Sequence, residues 1–294
     1  MSDLQLVLNA FPSLYLGSVL LLGLLVGSFL NVVILRLPVM LERQWQTDAR
    51  AILTAAETPE AEAAEPFNLA VPRSRCPACG HVIRWYENIP CLSWLFLRGR
   101  CSQCGTAISA RYPLIEALTG GLSLAVALTL PPGAETLVWL GFVWTLIALT
   151  FVDLDTQLLP DQITLPLLWA GLLASLLGLT PIPLQDAVIG AMAGYLSLWS
   201  VYHGFRLLTG KEGMGYGDFK LFAAFGAWFG WIALAPIILL ASLVGAAAGL
   251  LMVLLAGRDR QLPIAFGPYL CAAAVVYYFW GEALVNLWLH WALL

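Results

Sequence analysis

Long apolar runs with few charges constrain this chain more than any other feature. They lie at 14–35, 114–131, 136–152, 162–179, 185–208, 219–234, 236–256 and 264–289. Runs of about 18 or more apolar residues read as membrane-spanning helices. Only 11% of the residues are charged and 60% are hydrophobic, against about 25% charged in a soluble domain. The expected fold class is therefore all-α and polytopic, with about eight transmembrane helices. The runs 219–234 and 236–256 touch at Ala235-Pro236 and are read as a tight hairpin, because together they are too long for one span.

The basic residues test this count, since Lys and Arg collect in cytoplasmic loops. Nine arginines lie from Arg36 to Arg111, and none of the basic residues falls between Tyr112 and Phe205. Arg206, Lys211, Lys220, Arg258 and Arg260 complete the set. With eight spans and both termini outside, every basic residue falls in or beside a cytoplasmic loop. The first run follows Met1–Pro12, which carries Asp3 and no basic residue. A signal peptide has a positive start, so this run is read as a retained helix.

The expected organisation is a first helix at 1–37, a cytoplasmic loop at 38–112 and a seven-helix membrane domain at 113–294. In the loop, residues 41–70 are rich in Ala and Glu, with Glu57, Glu60, Glu62 and Glu65 around Pro59. They read as a short helix with a solvated linker. Residues 72–112 hold five of the six cysteines. Cys76-Pro77-Ala78-Cys79-Gly80 and Cys101-Ser102-Gln103-Cys104-Gly105 are two CxxC knuckles, each followed by glycine. This spacing fits a tetrahedral four-thiolate zinc site, and a closed four-sulfur site is structural. Disulfides are the weaker reading where thiols stay reduced. Cys91 and Cys271 are read as buried small residues. His81 is a competing ligand that a four-cysteine shell does not need.

Carboxylates in a membrane chain are expensive and ask for a reason. Asp153 and Asp155 sit at the end of the third apolar run, and Asp218 at the start of the sixth, in Gly213-Met214-Gly215-Tyr216-Gly217-Asp218. The topology puts both groups on the cytoplasmic side. Two carboxylates that meet can share one proton, with one activating water and the other polarising a peptide carbonyl. Asp161, after Pro160, reads as a helix N-cap, and Asp155 as a plain loop residue.

Taken in order, several motifs resemble the type IV prepilin peptidases, the prepilin leader peptidase/N-methyltransferases among the GxGD intramembrane aspartic proteases. They are Gly27-Ser28-Phe29-Leu30-Asn31-Val32-Val33-Ile34-Leu35-Arg36-Leu37-Pro38, Trp85-Tyr86-Glu87-Asn88-Ile89-Pro90, Arg111-Tyr112-Pro113-Leu114-Ile115-Glu116, Asp153 within the run ending Leu159-Pro160-Asp161, and Gly215-Tyr216-Gly217-Asp218. The resemblance spans nearly the whole chain. It implies an inner-membrane enzyme with Asp153 and Asp218 as catalytic residues. Its substrates would be type IV prepilins and type II secretion pseudopilins, each with a basic leader in the cytoplasm followed by an apolar helix. It also implies S-adenosylmethionine-dependent methylation of the new N-terminal amine, since members with the cysteine loop are the bifunctional ones. No Gly-rich nucleotide loop is present, so a Rossmann-type site is excluded. Asn31 and Glu116 are candidates for the methyl-donor site, against plainer readings as an interhelical hydrogen-bonding residue and a membrane-interface residue. No cofactor-binding residue is assigned, and no nucleic-acid partner is expected.

Two other classes compete with an enzyme. A transporter would use the carboxylates as a proton or cation path, but they cluster at one edge and no inverted repeat is seen. A non-catalytic pilus or secretion assembly factor would use the cysteine loop for docking and would tolerate loss of Asp218.

Overall fold

A computed structural model describes residues 3–53, 66–211, 213–256 and 265–292. The acidic run from Glu57 to Glu65, and Arg258 and Arg260, lie outside them. The described helices are α1 (Asp3–Ala10), α2 (Pro12–Leu53), α3 (Leu92–Phe96), α4 (Arg111–Thr129), α5 (Ala134–Thr156), α6 (Asp161–Leu176), α7 (Leu184–Thr209), α8 (Tyr216–Phe229), α9 (Leu234–Ala256) and α10 (Gly267–Ala292). Among the described residues the only β pairing is two isolated bridges. Each expected apolar run coincides with a helix. Five helical stretches are long and apolar enough to cross a membrane: Pro12–Leu53, Arg111–Thr129, Ala134–Thr156, Trp231–Leu254 and Gly267–Asn286. Helices α6 and α8 are shorter, and α7 carries Asp186, His203 and Arg206 among its apolar residues.

The chain forms two compact units, Met1–Thr136 and Leu137–Leu294. In the first, α2 and α4 pack along a seam of small residues. A Cβ at Gly23 would lie 2.5 Å from Ser123 Oγ, and one at Gly27 would lie 2.7 Å from the Cα of Glu116. Glycines four apart share one helix face, so the backbones approach closely there. The first helix runs beyond the expected end near residue 35. It continues through Pro38 to Leu53, although a proline removes one amide from the helical ladder. The separate short helix expected after residue 41 is thus the end of α2. The returning chain is pinned to it by Arg36 Nη1 donating to the Asn68 carbonyl at 2.9 Å, and by Arg43 over the Phe67 ring at 4.3 Å.

In the second unit α8 is the central element, with every residue from Asp218 to Phe229 except Lys220 buried. Glycines again set the approach: Gly190 and Gly194 of α7 face the backbone of Phe222 to Gly226, leaving no room for side chains. On another face, Trp228 Nε1 donates to the Leu167 carbonyl at 2.8 Å, with Gly171 beneath the indole. Trp139 and Phe142 of α5 pack on Trp228, with ring centroids 5.1 and 4.6 Å away. The hairpin after α8 turns at Gly230 (φ 77°) and a short 3-10 segment, Trp231–Ala233. It does not turn at Ala235-Pro236. Pro236 sits in the first turn of α9, where the missing amide has no helical partner to lose.

Candidate active site and metal centre

The loop that carries the cysteines is built as two copies of one turn. Cys76 N–H donates to the His81 carbonyl and Gly80 N–H to the Cys76 carbonyl, both at 2.9 Å. Cys101 N–H to Thr106 and Gly105 N–H to Cys101 repeat this at 2.9 and 3.0 Å. Gly80 and Gly105 both have φ 70°, a left-handed conformation that explains the glycine after each knuckle. The four sulfurs lie within 4.8 Å of one another, with Cys76–Cys104 at 3.8 Å and Cys79–Cys101 at 4.0 Å. Zinc–thiolate bonds of about 2.3 Å in a tetrahedron put sulfurs about 3.8 Å apart, so the donor set and spacing fit a zinc ion. The Thr106 hydroxyl and amide hold the Cys104 thiol down at about 6, while burial and the neighbouring thiols push Cys79 up against the His81 amide.

His81 is not a fifth ligand. Its Nε2 lies 3.0 Å from Glu87 Oε2, which also accepts Arg84 N–H at 2.9 Å, while Ser102 Oγ donates to Glu87 Oε1. Glu87 therefore ties the first knuckle to the second. Ser102 first, then the Arg84 amide and His81, hold its carboxyl down at about 2.

Asn31 makes the plainer interhelical contact, donating from α2 to the Tyr112 carbonyl at 3.2 Å. Glu116 lies in the second turn of α4. It is buried and accepts Cys91 N–H at 2.7 Å. Cys91 has φ 58° at the start of α3, and the carboxylate meets the amide that this bend turns inward. Asn31 thus joins α2 to the start of α4, and Glu116 joins α4 to the loop. Cys91 is half-buried, with Sγ 3.5 Å from the Pro113 carbonyl, and Cys271 is fully buried.

In the second unit Asp153 lies in the last turn of α5 and Asp218 in the first turn of α8. Both are buried, at 4% and 7% exposure. Asp153 Oδ2 and Asp218 Oδ1 are buried without a hydrogen-bond partner. Such orphaned oxygens are costly in a stable interior and mark a place where a ligand or water is expected to bind.

The Gly-Tyr-Gly-Asp sequence has a local explanation. Gly215 is the N-cap of α8, and Asp218, three residues on, donates its backbone N–H to the Gly215 carbonyl at 3.3 Å. Gly217 faces Leu159, where a Cβ would lie 2.7 Å from the Leu159 Cβ. Leu159 also packs on Gly267 at the start of α10, whose amide is the backbone donor beside Asp153. A Cβ at Gly267 would lie 2.6 Å from Asp153 Oδ2. Sequence reasoning missed Gly267. Its one signal is the Gly267-Pro268 start of the last helix.

Asp155 is exposed and belongs to the last turn of α5 rather than to a loop. Asp161 is not the N-cap of α6, since Pro160 holds that position. The Asp161 carboxylate turns instead to Lys220 Nζ on α8, at 2.6 and 2.7 Å.

The description "Bacterial Peptidase A24 N-terminal domain" matches residues 21–130, and "Type IV leader peptidase family" matches residues 140–250. The chain is 58% identical to the prepilin leader peptidase/N-methyltransferase of Aeromonas salmonicida (strain A449) over 281 residues, 96% of each chain. The chain belongs to the type IV leader peptidase family. To the correspondingly named Pseudomonas aeruginosa protein, this leader peptidase family member is 49% identical over 289 residues, 97% of each chain. No solved structure matches it.

Proposed function

We propose that this protein removes the leader peptides of type IV prepilins and type II secretion pseudopilins, and then N-methylates the new N-terminal residue from S-adenosylmethionine. Relatives at 49–58% identity over nearly their whole length are named for both activities. The single observation that supports the chemistry is the pair of buried carboxylates, Asp153 and Asp218, each with an unpartnered oxygen. In the proposed reaction one ionised carboxylate takes a proton from water. The protonated partner donates to the scissile carbonyl oxygen as the water oxygen bonds to carbon. The C–N bond then breaks as a proton passes to the departing amine. Gly215, whose Cβ position has no neighbour closer than 3.8 Å, leaves room beside Asp218 for an extended peptide.

Cys76, Cys79, Cys101 and Cys104 would hold a zinc ion whose task is to fold the loop. Asn31 and Glu116 are the candidates for the methyl-donor site, and no step of methyl transfer is assigned to a side chain. We place the protein in the bacterial inner membrane with eight spans, and with the cysteine loop and both aspartates on the cytoplasmic side. The distribution of basic residues supports that orientation.

The direct test is mass spectrometry of a prepilin co-expressed with the native protein. Loss of the leader together with a mass gain of one methyl on the new N-terminus is expected. An intact leader overturns the peptidase reading. A cleaved but unmethylated product overturns only the second activity.

A further inference from the structure

Between the two cysteine knuckles of the first unit lies the short helix α3. Its inner side is occupied: Trp94 Nε1 donates to the Ile108 carbonyl at 3.1 Å, and Gly99 lies against the indole. Its other side is apolar and bare. Leu92, Leu95 and Phe96 stand at helical spacing on one face, and they are 51%, 62% and 83% exposed. In the segment that enters α3, Trp85 is 79% exposed, and Tyr86 and Ile89 are exposed as well. A run of large exposed apolar side chains of this kind marks a contact surface. The chain leaves α3 through Arg98 and Arg100, both exposed. Two hydrogen bonds fix the level at which this surface sits. Asn88 Nδ2 donates to Ser28 Oγ on α2 at 3.3 Å, and Cys91 N–H donates to Glu116 on α4 at 2.7 Å. Helices α2 and α4 are both long and apolar enough to cross a membrane. At about 1.5 Å per residue, Ser28 lies about 12 Å along α2 from Arg36, and Glu116 about 7.5 Å along α4 from Arg111. The start of α3 is therefore held beside the apolar parts of both helices, beyond their first arginines.

We infer that the bare face of α3, with Trp85, is seated in the headgroup layer of the bilayer beside α2 and α4, and that Arg98 and Arg100 pair there with the phosphates of anionic lipids. The inference rests on the proposed membrane placement of α2 and α4, and not on the peptidase reading. Depth singles out lipid as the occupant. Beside the apolar part of a spanning helix the surrounding medium is lipid, so the face is covered without any protein partner. Composition agrees. Trp and Tyr collect at the headgroup level, and a Leu/Phe face accompanied by Arg is the make-up of segments that lie in the interface. Charge argues against the proposed substrate, because Arg98 and Arg100 would repel a basic leader, whereas they attract an anionic headgroup. The zinc site gains a purpose from this placement. Two knuckles closed on one ion fix both ends of the segment that carries α3, and so hold its apolar face toward the bilayer.

Photo-cross-linking of the full-length, zinc-loaded protein in vesicles tests this. The vesicles hold equal amounts of phosphatidylglycerol and phosphatidylcholine, and a prepilin is reconstituted with the protein. The photoreactive residue p-benzoylphenylalanine is placed at Phe96, at Gln103 on the exposed tip of the second knuckle, and at Leu25, an exposed apolar residue of α2. Adducts are identified by mass. Phe96 is expected to give at least about fivefold more lipid adduct than Gln103, with phosphatidylglycerol exceeding phosphatidylcholine about twofold or more. Arg98→Gln with Arg100→Gln should bring that ratio to about one while leaving the total adduct at Phe96 nearly unchanged. Equal labelling at Phe96 and Gln103, or prepilin adducts at Phe96 in place of lipid, overturns the inference. A lipid ratio that the double variant does not move overturns the pairing with anionic headgroups. Absence of lipid adducts at Leu25 as well would overturn it through its premise, the membrane placement of α2. Cleavage of the prepilin is read separately, so failure of the peptidase reading leaves these outcomes intact.

Discussion

At Gly217 a single methyl group would lie 2.7 Å from the Cβ of Leu159, so the second glycine of the motif is fixed by the approach of the 157–160 loop to α8. Gly217→Ala should lower kcat/KM by about tenfold or more, because small displacements of reacting groups are costly, while leaving the melting temperature within a few degrees. Leu159→Gly in the same chain, which removes that Cβ, should recover part of the loss, measured as cleavage by purified protein. No recovery would mean that the glycine serves some purpose other than this contact. Cys76→Ser and Cys101→Ser should each reduce bound zinc from about one ion per chain to nearly none, as read by elemental analysis, and expose the loop to proteolysis. Glu87→Gln keeps the ligands but loosens the bond between the knuckles. It should retain zinc and release it to a chelator several-fold faster than the native protein.

Among the elements, the α2–α4 pair carries the clearest energetic expectation. Gly27→Leu would press a side chain onto the backbone of Glu116, and overpacking of this kind costs about 1–3 kcal/mol. The first unit should melt earlier and the loop held by Glu116 should become more accessible, measured by thermal unfolding in detergent and by limited proteolysis. Gly17, with no atom within 4 Å of its Cβ position, is the matched control, and Gly17→Leu should leave both readouts nearly unchanged. Helix existence and approximate position are legible in the sequence because a bilayer demands long apolar runs. Helix ends are less so. The run of α2 to Leu53 follows no apolar signal, and the turn at Gly230 depends on a positive φ within a run that hydropathy reads as continuous. The α2–α4 seam does have a visible signature, glycines four residues apart at Gly23 and Gly27, whose partner helix only the packing reveals.

For the whole molecule, the places of Asp153 and Asp218 at helix ends follow from the limits of the apolar runs, and the cysteine cluster from spacing alone. What surrounds them does not. Gly267 reaches Asp153 from a helix more than a hundred residues away in the chain, Glu116 is drawn inward by an amide at Cys91, and Asp161 is drawn to Lys220 instead of capping its own helix. Each depends on a tertiary partner that local pattern does not encode. We propose that Asp153 and Asp218 act together on one peptide bond. The most direct test is single-turnover cleavage of a purified prepilin by the native protein, Asp153→Asn and Asp218→Asn in the same bilayer. Each variant is expected to bind prepilin and stay folded yet cleave it at least about a thousandfold more slowly. Cleavage by either variant within about tenfold of native would contradict it.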